Sequence, residues 1–190
     1  MSENWASGRI ALVTGATSGF GEAMARRLLA AGARVIATGR RAERLAALAT
    51  ELKTERLLTR ELDVTSAEGV AALLPSLPPA FEAIDILYNN AGLALGLSKA
   101  HEADLADWER MIDTNVTGLV RVTRAVLPGM AARDRGDVIN IASVAANYPY
   151  PGGNAYGATK AFVRQFSLNL RADLLGTRVR VTSIEPGMAD

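Results

Sequence analysis

The stretch Ile10-Ala-Leu-Val-Thr14-Gly-Ala-Thr-Ser-Gly-Phe-Gly21 decides the fold, because an apolar strand runs directly into a glycine-rich turn and a helix. Glycines in such a turn permit a tight bend, close backbone approach to a pyrophosphate and close packing of helix on strand. The helix N-terminus offers free N–H groups and a positive dipole end to phosphate oxygens. We therefore expect a dinucleotide site, with a purely structural turn as the alternative. The predicted cofactor-binding residues here are Gly15, Thr17, Ser18, Gly19, Phe20 and Gly21.

Short apolar runs alternate with longer amphipathic ones along the chain, a pattern typical of a parallel sheet with helices on both faces. We predict a Rossmann-type, doubly wound α/β fold in three layers, forming a single domain over residues 1–190. The predicted strands are Ile10–Thr14, Arg34–Thr38, Leu57–Leu62, Ile84–Asn89, Val138–Ser143 and Arg178–Ile184. The predicted helices are Gly21–Ala31, Ala42–Leu52, Ala67–Leu74, Leu105–Arg133 and Tyr156–Leu175. We expect a capping box at Thr65–Glu68 to begin the third helix, and Pro128 to end or bend the fourth.

The composition is that of an ordinary globular chain, with 49% hydrophobic and 22% charged residues and a formal net charge of +1. This balance gives no reason to expect a nucleic acid or a membrane as partner. The chain has no cysteine, which excludes disulfides and thiolate chemistry. A lone histidine, His101, makes no metal site, so no metal is expected. No signal peptide or membrane-spanning run is visible, and a cytoplasmic location is expected.

The second predicted strand runs into Ala37-Thr-Gly-Arg40-Arg41, where a carboxylate would favour NAD by binding its ribose hydroxyls. Arginine stands there instead, and a guanidinium can bind a 2′-phosphate through two hydrogen bonds. Such a contact contributes about 1.5–3 kcal/mol, which corresponds to a preference of about ten- to a hundredfold. We therefore expect NADP as the cofactor, with Arg40 and Arg41 binding it. The alternative is a solvated helix start, although cations there oppose the helix dipole.

Residues Tyr156-Gly-Ala-Thr-Lys160 place a phenol and an ammonium on one face of the last predicted helix. The nearby cation stabilises the phenolate, so the tyrosine can exchange a proton with a carbonyl or an alcohol. Beside a dinucleotide site, this pair indicates carbonyl/alcohol redox chemistry. The alternative is an ordinary pair of side chains on a helix face.

Further motifs occur in the order found in the short-chain dehydrogenase/reductase family, which the chain resembles over nearly its whole length. They are Thr14-Gly-x-x-x-Gly-x-Gly21, Asp63-Val64, Asn89-Asn-Ala-Gly92, Asn115, Ser143, Tyr156-x-x-x-Lys160 and Pro186-Gly187. Each motif is modest alone, and the whole set in this order is hard to obtain by chance. The resemblance implies a Rossmann fold and a nicotinamide-dependent oxidoreductase.

The resemblance also implies roles for individual residues. Tyr156 would be the general acid/base, Lys160 would assist it and bind the nicotinamide ribose, and Ser143 would orient the substrate oxygen. Asn115 would hold a water that links Lys160 to solvent as a proton relay. In the alternative, Ser143 caps the strand end and Asn115 satisfies buried backbone groups. The implied cofactor contacts are Asp63, Val64, Asn90, Ala91, Gly92, Tyr156, Lys160, Pro186 and Gly187.

Longer matches resemble one subgroup, the NADP-dependent 3-hydroxy acid dehydrogenases, also described as serine 3-dehydrogenases or malonic semialdehyde reductases. The matching segments are Gly19–Glu22, Thr38–Arg41, Asn90–Leu95, Met111–Asn115 and Tyr156–Phe166. The implied reaction oxidises the 3-hydroxyl of serine, allo-threonine or 3-hydroxypropionate, or reduces the matching semialdehyde. A reductase of other ketones or aldehydes and a non-catalytic NADP-binding protein on the same fold stay open.

Three expectations concern the surroundings of the site. The substrate pocket should lie at the carboxyl ends of the strands, lined by Ser143, Tyr150, Asn154 and Tyr156. Family resemblance implies that the helices around residues 105–133 and 156–175 pair subunits into a homodimer or homotetramer, and simple core packing is the alternative. Since family members continue past the final Glu185-Pro-Gly-Met-Ala-Asp190, the chain is expected to be C-terminally incomplete and to lack a substrate lid.

Overall fold

The structure is a computed structural model that describes residues 4–187. Within this range a parallel sheet is formed by β1 (Ile10–Val13), β2 (Arg34–Gly39), β3 (Leu57–Glu61), β4 (Ile86–Asn89), β5 (Gly136–Ile141) and β6 (Val179–Ile184). The strand order is β3-β2-β1-β4-β5-β6, so the order reverses between β1 and β4. This is the order of the doubly wound dinucleotide-binding fold. The predicted fold class is confirmed.

The helices that flank the sheet in the described residues are α1 (Gly19–Ala30), α2 (Ala42–Leu52), α3 (Ala67–Leu73), α4 (Leu105–Ile112), α5 (Leu119–Ala132) and α6 (Asn154–Asp173). A π-helical turn over Asp113–Gly118 joins α4 to α5. Short 3₁₀ turns occupy Leu74–Ser76, Pro79–Phe81 and Val144–Ala146.

Side chains alternate between the two faces of the sheet, and each face carries an apolar core. Leu12 and Leu87 lie on the face covered by α3, α5 and α6. Val13 and Tyr88 lie on the opposite face, against α1 and α2. Because both faces are buried at the central strands β1 and β4, these two strands are nearly continuous apolar runs. Since helices cover both faces of the sheet, polar side chains can form a site at the carboxyl ends of the strands.

The helix predicted over Leu105–Arg133 is continuous from Leu105 to Ala132, but a π turn within it separates α4 from α5. Insertion of one residue into a helix leaves the apolar periodicity on either side almost unchanged, so the sequence pattern conceals it. Pro128 does not end α5, which continues to Ala132. Buried Val126 and Met130 hold this part of the helix against the sheet across the missing hydrogen bond.

One helix cap and one strand end also differ from expectation. Ser66, not Thr65, caps α3, since its Oγ accepts a hydrogen bond of 2.9 Å from the Gly69 N–H. The Thr65 hydroxyl is already bound to Asp63 Oδ1 at 2.8 Å. Strand β5 ends at Ile141 rather than at Ser143, because the chain turns there into the 3₁₀ segment.

Candidate active site

A cavity of about 500 Å³ opens at the carboxyl ends of the strands, where the strand order reverses. Its volume is within the range of small-molecule and cofactor sites. Segments that follow each of the six strands contribute to its wall. Most of the predicted site residues are brought together here, namely Gly15, Thr17, Ser18, Phe20, Arg40, Arg41, Asp63, Val64, Asn90, Ala91, Gly92, Ser143, Tyr156, Lys160, Pro186 and Gly187.

Two of the predicted glycines do not belong to the cavity wall. Gly19 and Gly21 are not among the lining residues. A Cβ atom at Gly21 would lie 2.2 Å from the Gly15 carbonyl oxygen, so α1 can approach the turn this closely only through a glycine. Gly15 has φ +65° and lines the cavity, and its own Cβ would lie 2.9 Å from Ala91 Cα. The glycine-rich turn is therefore shaped by its contact with the loop after β4.

Polar side chains join the glycine-rich turn to that loop. Thr14 Oγ1 accepts hydrogen bonds of 3.0 Å from the N–H groups of Asn90 and Ala91. Asn90 Nδ2 in turn donates to the carbonyl oxygens of Thr14 and Gly15, at 3.2 and 3.1 Å. The Asn90 side chain thus braces the turn. Thr14, although quoted within the motif, was not predicted as a site residue.

One end of the cavity is positively charged. The Arg41 guanidinium donates to Thr17 Oγ1 at 2.7 Å and to Ser18 Oγ at 2.8 Å, which holds it beside the glycine-rich turn. Arg40 is exposed and lies close enough to act on Asp63. Burial tends to raise the pKa of the Asp63 carboxyl, but hydrogen bonds from Thr65 and the charge of Arg40 outweigh it and lower the pKa. Both arginines line the wall, as expected for a phosphate-binding end.

The phenol and the ammonium lie together on the cavity face of α6. Lys160 Nζ is 5.8 Å from the centre of the Tyr156 ring and donates a hydrogen bond of 2.8 Å to the Ile141 carbonyl oxygen. Lys160 is only 7% exposed, and burial lowers its pKa from 10.5 to about 8. The carbonyl of Ile141, at the end of β5, thus fixes the ammonium between the sheet and the tyrosine. The sequence could not predict this acceptor, because every residue has a backbone carbonyl.

Ser143 follows β5 and begins the short 3₁₀ turn Val144–Ala146. Its Oγ accepts a hydrogen bond of 3.2 Å from the Ala145 N–H, so the serine caps this turn. The alternative that Ser143 has a capping role is therefore confirmed, although the serine caps a 3₁₀ turn rather than the strand end. Because the oxygen accepts from Ala145, the hydroxyl proton remains for a second partner in the cavity.

Asn115 lies in the π turn, 2% exposed, and is not a lining residue. Its Oδ1 accepts from the Leu93 N–H, and its Nδ2 donates to the Leu93 carbonyl oxygen, both at 2.9 Å. The same Nδ2 donates to Thr159 Oγ1 at 3.0 Å. The side chain therefore satisfies buried backbone groups, as the alternative predicted. Its part in a proton relay stays a prediction.

Two predicted pocket residues lie elsewhere. Tyr150 and Asn154 line a second cavity of about 300 Å³, together with Gly157, Ala158 and Ala161. On α6, Asn154 and Ala158 lie about 120–160° around the helix axis from Tyr156 and Lys160. Asn154 Nδ2 is bound to the Ser98 carbonyl oxygen at 3.1 Å. Of the four predicted substrate residues, only Ser143 and Tyr156 line the main cavity.

Several lining residues were not predicted from the sequence. They are Gly39, Leu62, Leu93, Ala94, Thr114, Ile141 and Ala142. Each lies in or near a predicted motif or strand end, so its position in the chain was the only indication in the sequence that it lines the cavity.

Within residues 4–187 no helix is both long and apolar enough to cross a membrane. The same residues hold no group of three or more His, Cys, Asp or Glu side chains placed to bind a metal ion.

Comparison with protein-family models identifies the family of the chain. The family model described as short chain dehydrogenase matches residues 9–190. The chain belongs to the short chain dehydrogenase family. This confirms the resemblance seen in the motifs.

Individual short chain dehydrogenases resemble the chain closely. It is 63% identical over 179 residues to the NADP-dependent 3-hydroxy acid dehydrogenase YdfG of Salmonella typhi, covering 94% of this chain and 72% of that protein. It is 56% identical to the serine 3-dehydrogenase of Agrobacterium fabrum, covering 94% of this chain and 71% of that protein. A solved structure described as the closed form of serine dehydrogenase complexed with NADP+ superposes with a TM-score of 0.93 at 61% identity. That match covers 94% of this chain and 72% of the other.

Proposed function

We propose that the chain is an NADP-dependent oxidoreductase that transfers a hydride between the cofactor and the 3-hydroxyl or carbonyl of a small hydroxy acid. Serine, allo-threonine and 3-hydroxypropionate are the substrates that its similarity to 3-hydroxy acid and serine dehydrogenases supports. The observation that carries the proposal is one cavity that holds both a positively charged nucleotide end and the Ser143, Tyr156 and Lys160 side chains.

The residues around the cavity fit NADP. Gly15 presents backbone without a side chain to the cavity, and Ser18, the N-cap residue of α1, also lines it, as a pyrophosphate site requires. Arg40 and Arg41 supply guanidinium groups for a 2′-phosphate, and no carboxylate replaces them at the end of β2. We assign Asp63 and Val64 to the adenine side. Asn90 to Gly92 line the adenosine side, and Pro186 and Gly187 the nicotinamide side. When bound, NADP+ supplies the hydride acceptor.

Tyr156 handles the proton of the reacting oxygen in this proposal. During oxidation its phenolate takes the proton from the substrate hydroxyl, and during reduction its phenol returns one to the carbonyl oxygen. Lys160 stabilises the phenolate through its charge, since below its pKa of about 8 the buried amine is protonated. Ser143 donates its hydroxyl proton to the substrate oxygen, because Ala145 already occupies one acceptor position of Oγ.

Proton transfer must also reach the solvent. We assign this path to Lys160 and a water held at Asn115, whose side chain is fixed by Leu93 and Thr159. The π turn that contains Asn115 supports the assignment, because such turns are frequent at functional sites.

We further propose that residues 1–190 form one dinucleotide-binding and catalytic domain, and that the protein acts in the cytoplasm as a homodimer or homotetramer. Exposed apolar side chains on α6 support the subunit contact, since Phe162 and Leu168 are each 39% exposed. Phe162 also stacks on Phe166, with ring centres 5.6 Å apart, which makes a firm apolar ridge.

Replacement of Tyr156 by phenylalanine tests the mechanism. We expect kcat with 3-hydroxypropionate and NADP+ to fall about 10²–10⁴-fold, because general acid/base catalysis is lost. The Kd of NADP+, measured by titration calorimetry, should stay within about twofold. Tyr88→Phe is the control, since it removes a buried phenolic hydroxyl from β4 on the α1 side of the sheet. Undiminished turnover in Tyr156→Phe would sink the proposal.

A further inference from the structure

The hydroxyl of Thr159 lies between the catalytic pair in sequence and has two partners in the fold. Thr159 is 3% exposed. Its Oγ1 donates a hydrogen bond of 2.8 Å to the carbonyl oxygen of Tyr156, three residues earlier in α6. The same oxygen accepts the hydrogen bond of 3.0 Å from Asn115 Nδ2. A buried threonine in a helix commonly makes only the first of these contacts.

The second contact completes the bonding of Asn115. One Nδ2 proton is bound by Thr159 and the other by the Leu93 carbonyl, while Oδ1 accepts from the Leu93 N–H. A buried amide with both protons and its oxygen bound has one orientation. An unbroken set of hydrogen bonds therefore runs from the first turn of α6, through the π turn, to the loop after β4.

This set of bonds connects the catalytic helix to the cofactor side of the cavity. Leu93 lines the cavity directly after the Asn90–Gly92 segment. Lys160 follows Thr159, so a rotation of this turn of α6 would disturb the hydrogen bond between its ammonium and the Ile141 carbonyl. We propose that Thr159 is a positioning residue: its hydroxyl sets the angle of the Tyr156–Lys160 turn against Asn115 and the loop at Leu93. The inference rests on the proposed oxidoreductase function.

The hydroxyl can be removed with little change in shape by Thr159→Val, and Thr159→Ser restores it. We expect kcat to fall about tenfold or more in Thr159→Val, with the Kd of NADP+ within about twofold. Thr159→Ser should keep kcat within about twofold of the unaltered chain. If the valine variant does not fold, Thr159→Ala is measured in its place, with the same expectation.

Thr123→Val is the matched control. Thr123 is also buried, at 1% exposure, and its hydroxyl also accepts from an asparagine amide, Asn89 Nδ2 at 2.9 Å. It lies in α5, and its hydroxyl is bound to Asn89 rather than to Asn115 or Tyr156. We expect Thr123→Val to lower the melting temperature but not to reduce kcat as Thr159→Val does. Wild-type kcat in Thr159→Val, or an equal loss of kcat in Thr123→Val, would overturn the inference.

A second readout does not depend on the reaction. Exchange of the Asn115 side-chain amide protons and of the Leu93 backbone N–H, followed by NMR, should speed up about tenfold or more in Thr159→Val. Thr159→Ser and Thr123→Val should leave both rates unchanged. If the unaltered chain does not oxidise hydroxy acids, the proposed function fails, and these exchange rates still decide whether Thr159 fixes Asn115. Unchanged exchange in Thr159→Val would refute the positioning role.

Discussion

Lys160 brings a positive charge into the protein interior, and the stability of the fold should depend on pH because of it. Burial lowers its pKa from 10.5 to about 8 in the folded chain. In the unfolded chain the amine regains its ordinary pKa of about 10.4. Between these two values the unfolded chain binds one proton more than the folded chain. The free energy of unfolding therefore rises with pH across this window, and the cost of the buried charge is fully present below about pH 8.

The magnitude follows from the two pKa values. Each pH unit within the window contributes up to about 1.4 kcal/mol. Integration from about pH 7 to about pH 9.5 gives a gain of about 2 kcal/mol for the unaltered chain relative to Lys160→Met. The methionine variant also leaves the Ile141 carbonyl without its donor, but that cost of about 1 kcal/mol is independent of pH.

The assay is urea unfolding of both proteins without cofactor, at several pH values across this range. The difference in unfolding free energy should shift steadily in favour of the unaltered chain as pH rises. Lys99→Met is the control, because Lys99 is exposed, and its curve should run parallel to that of the unaltered chain. Parallel curves for Lys160→Met as well would mean that Lys160 is not a buried ammonium, and the reasoning would fail.

Two further predictions concern the nucleotide end of the cavity. Arg40→Ala should raise the Kd of NADP+ about ten- to a hundredfold and that of NAD+ about twofold or less, whereas the exposed Arg44→Ala on α2 should change neither; equal losses for both nucleotides would refute the phosphate role. Gly15→Ala should destabilise the fold by about 1–3 kcal/mol in thermal unfolding, since its φ is +65° and its Cβ would lie 2.9 Å from Ala91 Cα. Gly8→Ala, with φ +72° and nothing within 4 Å, carries only the backbone strain, so an equal loss there would contradict the close approach.

Elements with a strong local pattern were predictable from the sequence. The apolar strand, glycines and helix between Ile10 and Ala30 define their own order along the chain, and each step has a steric or electrostatic cause. The spacing of Tyr156 and Lys160 likewise places both side chains on a common helix face, whatever the helix packs against. Parallel strands then bring these segments to one edge of the sheet, so the membership of the cavity could be anticipated.

Features that depend on tertiary contact could not be predicted in this way. The π turn at Asn115 interrupts no apolar period, and its place in the fold depends on the contacts of Asn115 with Leu93. Tyr150 and Asn154 follow Ser143 in the chain, yet the direction of the turn after Val144–Ala146 sends them to a second cavity. The acceptor of Lys160 is a backbone carbonyl, which any residue at position 141 would provide.

The central claim, hydride transfer between NADP and a small 3-hydroxy acid, is tested most directly by initial rates of nicotinamide reduction. L-Serine, allo-threonine, 3-hydroxypropionate and a simple secondary alcohol are each offered with NADP+ and with NAD+. Turnover of the hydroxy acids with NADP+, and about ten- to a hundredfold lower efficiency with NAD+, is the predicted result. Activity confined to the plain alcohol, or equal efficiency with both cofactors, would contradict it.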